Sequence, residues 1–141
     1  MIIELKEKPK ISIGCSKLVY RLIWNVIQSM QPFDQDKEHL FAIGVNRAFR
    51  ILYIDWISMG SVSGTVAEPR EVFRTAVLQG ASALILVHSH PSGNFQPSNE
   101  DKKVTKTMVN SGKILHINVV DHVIVSCEGY YSFADEGELY C

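Results

Sequence analysis

A chain of 141 residues, 46% hydrophobic and 21% charged, has the bulk of one soluble globular domain with a single core and no room for a second. Its formal net charge of -1 gives no electrostatic footprint for nucleic acid, and no apolar run reaches the ~18 to 20 residues of a membrane span. Residues 1 to 8 lack the apolar stretch of a signal peptide, and the three cysteines (Cys15, Cys127, Cys141) are far apart with no CxxC pair. That pattern suits a reducing cytoplasm and excludes zinc deaminases, which need Pro-Cys-x-x-Cys. Charge is uneven, with 8 of the 14 Lys and Arg in residues 1 to 50 and none after Lys113. A solvated mixed surface is the expected reading, ahead of a basic patch near the N-terminus.

Residues 1 to 15 read as an extended lead-in. Ser16 is placed to cap a helix running to about Met30, with Leu18, Leu22, Ile23, Val26 and Ile27 on one side. Two strand-like segments follow, Glu38 to Val45 and Ile51 to Ile57, joined by the hairpin-sized Asn46 to Arg50. Met59 to Thr65 is rich in Gly and Ser and reads as loop or irregular strand. Pro69 then opens a helix to Gln79, stopped by Gly80. The apolar run Ala83-Leu84-Ile85-Leu86-Val87 has the composition of a strand buried on both faces. Asn99 to Ser111 is expected to be helical and to end at Gly112. Ile114 to Val120, His122 to Val125 and Tyr130 to Phe133 are expected strands. Strands and helices alternate, so the expected fold is α/β (α+β), a mixed sheet flanked by helices in one domain.

The chemistry concentrates between His88 and Asp101. His88 and His90 are separated by one residue at a strand end, so both imidazoles point the same way. Pro91, Gly93 and Asn94 force a loop. Ser98 is a good N-cap and Asp101, three residues on, stands at capping-box spacing, where its carboxylate can swing back to the two His. Two neutral imidazoles and one carboxylate are a hydrolytic zinc set with a fourth position for water. Such a water still needs a carboxylate to take its proton. By composition Glu38, Glu68, Glu71 and Glu100 all qualify, and spacing does not choose among them.

This stretch resembles the JAMM metal motif: His-Ser/Thr-His-Pro, six residues, Ser, two residues, Asp. His88, Ser89, His90, Pro91, Ser98 and Asp101 match it at every position. Pro91-Ser92-Gly93, Pro97-Ser98, Pro69-Arg70-Glu71-Val72 and Asp121-His122 narrow the resemblance to the RadC-like branch, historically called DNA repair proteins. It covers about residues 38 to 139. It implies a JAB1/MPN-like, cytidine-deaminase-like architecture over residues 38 to 141, with residues 1 to 37 a lead-in and helix packed against it. Ser89 stands where RadC-like proteins usually carry Asn, Ser being more typical of JAMM deubiquitinating peptidases. Many RadC proteins carry an N-terminal helix-hairpin-helix, and the expectation here is a short form without it.

The resemblance assigns the metal ligands to His88, His90 and Asp101, with one zinc ion per chain. It assigns the acid/base to Glu38, which opens Glu38-His39-Leu40-Phe41 as the family's Glu opens a Glu-x-Phe-type strand. It gives Ser98, beyond its capping role, a hydroxyl that donates to a developing oxyanion. His39 is expected on the face opposite Glu38, and His116 inside an apolar strand. Asp121-His122 is expected to be packing with a hydrogen-bonded imidazole, the alternative being support of the site from behind. The implied activity is zinc-dependent hydrolysis of an amide, with a peptide or isopeptide as substrate. The alternative is a DNA-repair accessory protein binding DNA or a repair partner, which the neutral charge does not support.

Overall fold

The computed structural model describes residues 1–3, 15–60 and 67–139. The elements are β1 (Ile2–Ile3), α1 (Ser16–Gln28), α2 (Pro32–Gln35), β2 (Glu38–Val45), β3 (Ile51–Gly60), α3 (Pro69–Gln79), β4 (Ala83–Ser89), α4 (Asn99–Leu115), β5 (Asn118–Val125) and β6 (Tyr130–Ser132). The strands form one six-stranded mixed sheet in the order β1-β3-β2-β4-β5-β6. Only β4 and β5 run parallel. α4 makes the crossover between them, as a parallel pair requires.

Helices cover both faces, which is why β2 and β4 are apolar without alternation. On one face Val19, Ile23 and Ile27 of α1 pack on Phe41, Ile43, Ile85, Val87, Val123 and Val125. On the other, Val72, Phe73 and Ala76 of α3 and Met108 and Val109 of α4 pack on Leu40, Ala42, Leu84 and Leu86. The result is a three-layer α+β domain with the sheet at its centre, as the sequence implies.

The differences from expectation have local causes. Cys15, not Ser16, is the N-cap of α1, and it makes no side-chain cap bond; the Ser16 hydroxyl donates instead to Asp135. α1 ends at Gln28, and Pro32 starts a separate helical turn. β3 continues through Met59 to Gly60, while residues 61 to 65 of the expected loop and residues 4 to 14 of the lead-in lie outside the described residues. The largest difference is at α4, which runs past Gly112 to Leu115. A Cβ at Gly112 would stand 2.3 Å from the Ile117 carbonyl oxygen, so this glycine permits close approach of the departing chain rather than ending the helix. His116 is therefore the left-handed C-cap, exposed to solvent, and not a strand residue. β5 is one strand, with an irregularity at Val120 between the Leu84–Val119 and Ile85–Asp121 pairs.

Candidate metal centre

The site forms at the carboxyl end of β4, between the start of β2 and the N-terminus of α4. Antiparallel pairing sets Leu40 opposite His88, so Glu38, two residues earlier, shares the face of His88 and lies toward His90. The capping box at Ser98 forms with both bonds. Ser98 Oγ accepts from the Asp101 amide at 3.1 Å, and Asp101 Oδ2 accepts from the Ser98 amide at 2.7 Å. This holds the Asp101 carboxylate, almost wholly buried, against both imidazoles.

His90 Nδ1 lies 2.7 Å from the Asn94 carbonyl oxygen. A carbonyl only accepts, so that nitrogen carries the hydrogen, and Nε2 presents its lone pair to Asp101 Oδ2 at 3.0 Å. Two acceptors face each other unless positive charge stands between them. His88 is in a similar position. Its Nδ1 is 2.8 Å from Asp101 Oδ1, and its Nε2 is 3.5 Å from Glu38 Oε2, buried and without a hydrogen-bond partner. Burial alone would lower the His88 pKa, but hydrogen bonding and charge from Asp101 and Glu38 outweigh it and raise it to about 9. His90 is raised against its burial by Asp101 and the Asn94 carbonyl. Burial raises the Asp101 carboxyl, yet bonds from His88, His90 and the Ser98 amide hold it far below the usual carboxylate range.

Positive charge, from protons on the imidazoles or from a metal ion, relieves these opposed acceptors, and the donor set is compatible with a divalent metal. Glu38, His88 and His90 each offer a ligand atom within 4.8 Å of the others, and Asp101 touches both imidazoles. Asp101 meets the two imidazoles through different oxygens, Oδ1 at 2.8 Å from His88 Nδ1 and Oδ2 at 3.0 Å from His90 Nε2. The Asn94 carbonyl on His90 Nδ1 fixes the orientation of that ring, as outer hydrogen bonds do for imidazoles in metal sites.

The other carboxylate candidates are engaged elsewhere. Glu71 pairs with Arg74 at 2.7 Å and Glu100 with Lys103 at 3.4 Å, while Glu68 occupies the N-cap of α3 without a cap bond. Ser98 Oγ accepts from Asp101 and keeps its own hydrogen to donate.

Around the site, the sequence flags His39, Asp121 and His122, whereas the contacts of Ser89, Ser126 and Thr105 are not legible in it. Ser89 points away from the site, where its hydroxyl accepts the His39 amide at 2.8 Å and so anchors the strand end that carries Glu38. His39 is on the opposite face, as alternation requires, between the Asp34 carbonyl (2.7 Å) and the Trp56 indole N–H (3.2 Å). The loop after His90 is clamped to the turn after β5. The His90 amide donates to Val125, and the buried Ser126 hydroxyl donates to Gly93 at 2.9 Å. Gly93 has φ 89°, and a Cβ there would meet Glu128 at 3.3 Å. The Asp121 carboxylate is turned away and accepts from Ser132, Ala134 and the His122 amide. His122, fully buried and pushed down to about 3 by that burial, faces the site side and is hydrogen-bonded to Thr105. Of Ser89, Ser126 and Thr105, spacing alone points only to Thr105, one helical turn after Asp101.

No helix among the described residues is long and apolar enough to cross a membrane. The family model for the RadC-like JAB domain matches residues 13–138, and so begins upstream of Glu38 and includes α1. A UPF0758 protein of Chlorobaculum parvum is 44% identical over 83% of this chain and 52% of its own length. One from Pelodictyon phaeoclathratiforme is 39% identical over 98% of this chain and 63% of its own. One from Methanosarcina mazei is 37% identical over 93% and 55%. The chain thus spans about half the length of the curated relatives it matches. With the motif, the mixed sheet and the family match in agreement over most of its length, the chain belongs to the RadC-like JAB domain family.

Proposed function

We propose that this chain is a zinc-dependent amide hydrolase of the peptidase or isopeptidase type, with His88, His90 and Asp101 as the metal ligands. The observation that carries the reading is a cluster in which Glu38, His88 and His90 each offer a ligand atom within 4.8 Å of the others while the two oxygens of Asp101 contact His88 and His90. Held by these residues, a divalent ion would supply a lowered water pKa, toward ~7, and polarisation of a carbonyl. Glu38, a side chain only 18% exposed, takes the proton of the attacking water and returns it to the leaving nitrogen. Asp101 is kept ionised well below the usual carboxylate range by its bonds to His88, His90 and the Ser98 amide, so it would offer a charged ligand at neutral pH. Ser98 directs its free hydroxyl hydrogen at the oxyanion, while its oxygen holds Asp101 in the capping box.

A peptide and isopeptide panel, assayed on the zinc-loaded chain beside Glu38→Gln, tests the reading. The expected result is hydrolysis by the wild type, a loss of roughly 10²–10⁴-fold in Glu38→Gln, and equal zinc content in both. Turnover in Glu38→Gln at the wild-type rate would remove the acid/base role.

A further inference from the structure

Two polar residues behind the site look unfavourable in isolation. His122 is 0% exposed and lies flat on Phe133, with ring centroids 5.0 Å apart and planes 7° apart, yet its Nε2 has no hydrogen-bond partner. A phenyl ring would fill that position without burying an unpaired acceptor. Thr105 sits within α4 at 2% exposure and sends its hydroxyl back to the carbonyl of residue i−4, a bond that slightly disfavours the helix. The two residues account for each other. Thr105 Oγ1 is 2.8 Å from the Asp101 carbonyl oxygen and 2.5 Å from His122 Nδ1. The hydroxyl has one hydrogen, which it gives to the carbonyl, so His122 carries hydrogen on Nδ1 and donates to Thr105.

From this chain of bonds we infer that His122 and Thr105 are positioning residues for Asp101. They tie the first turn of α4 to β5 and set the rotation of the helix that presents the carboxylate. Around them, Asn99, Glu100, Lys102 and Lys103 are exposed, so Asp101 and Thr105 are the residues that turn inward there. Removing the tie takes away the contact that fixes the helix backbone at Asp101 against β5, and a carboxylate whose backbone can shift is a weaker ligand. The inference rests on the ligand set proposed above.

The test is a zinc competition titration against a chelator, on the whole chain, with melting of the metal-free protein recorded in parallel. His122→Phe and Thr105→Val should each weaken zinc binding by roughly ten- to a hundredfold while the metal-free chain stays folded. His122→Asn keeps an N–H near the position of Nδ1, and Thr105→Ser keeps the hydroxyl; both should bind zinc within a few-fold of wild type. If His122→Phe does not fold, the Thr105→Val and Thr105→Ser pair decides. Wild-type zinc affinity in His122→Phe and Thr105→Val would reduce the imidazole to packing and overturn the inference alone. A folded wild type that takes up no zinc would overturn both this inference and the ligand set.

Discussion

His39 and His88 lie on neighbouring strands, both nearly inaccessible to solvent and on opposite faces of the sheet. On the α1 face, His39 spends one nitrogen on the Asp34 carbonyl and the other on the Trp56 indole, and burial keeps it neutral. Asp121, on that same face, accepts three hydrogen bonds from its neighbours. On the α3/α4 face, His88 stands between two carboxylates, and both His88 and His122 leave Nε2 without a hydrogen-bond partner. Ser58, paired with Leu40 and so on this face too, has an unpartnered hydroxyl. A satisfied buried polar group belongs to the architecture. Unpaired and over-supplied acceptors gathered on one face indicate what that face is for.

The sharpest way to break this contrast is to truncate both imidazoles. His88→Ala should weaken zinc binding by roughly a thousandfold or more, since it removes a ligand. His39→Ala should leave zinc affinity near wild type but destabilise the fold by about 2–3 kcal/mol, through a cavity and an unpaired indole N–H. Zinc titrations and denaturant melts of the two variants check this. Equal effects of both on zinc would erase the distinction between the faces.

A second effect follows from protonation of the metal-free chain. The folded-state pKa of His88, about 9, lies above the ordinary 6.5. The stability it contributes is therefore complete below about pH 6.5 and is lost as pH rises through about 9, on the order of 3 kcal/mol in all. Asp101 works in the other sense. Its carboxyl is depressed from 3.8, so its contribution is present above that value and lost as pH falls through the depressed one. Melting temperature in chelator should fall between pH 6.5 and 9, whereas zinc, which displaces the proton, should flatten the slope. A flat profile in chelator would show that these carboxylates do not stabilise a proton on His88.

The smallest effect concerns Ser89, which serves the site from the satisfied face. Ser89→Ala leaves the His39 amide without its acceptor and should cost about 1 kcal/mol in denaturant melts. Zinc content should not change, because the hydroxyl faces away from the ligands. Loss of zinc from Ser89→Ala would mean that the anchoring of β2 reaches the metal position.

What the sequence showed of this molecule was local. The HxH pair, the Ser98–Asp101 capping box and the unbroken apolar run of β4 are short-range patterns, and each forms where its spacing places it. Gly112 misled because a glycine inside a helix and one that ends it look alike until the Ile117 carbonyl is known to pass 2.3 Å from where a Cβ would be. His116 followed that error into a strand that begins two residues later. The tie from His122 through Thr105 to Asp101 and the Asn94 carbonyl that orients His90 were not legible. The first depends on two elements meeting, and the second on the path of a loop backbone. Ser16 reads as a cap by residue type, but its hydroxyl is taken by Asp135, 119 residues away.

On the proposed reading, the α3/α4 face holds a metal ion through His88, His90 and Asp101. The most direct test is elemental analysis of the purified chain beside Asp101→Ala, each after reconstitution with zinc. About one zinc per wild-type chain is expected, with its loss from the variant. A folded wild type that holds no zinc, or an Asp101→Ala chain that holds as much, would contradict it.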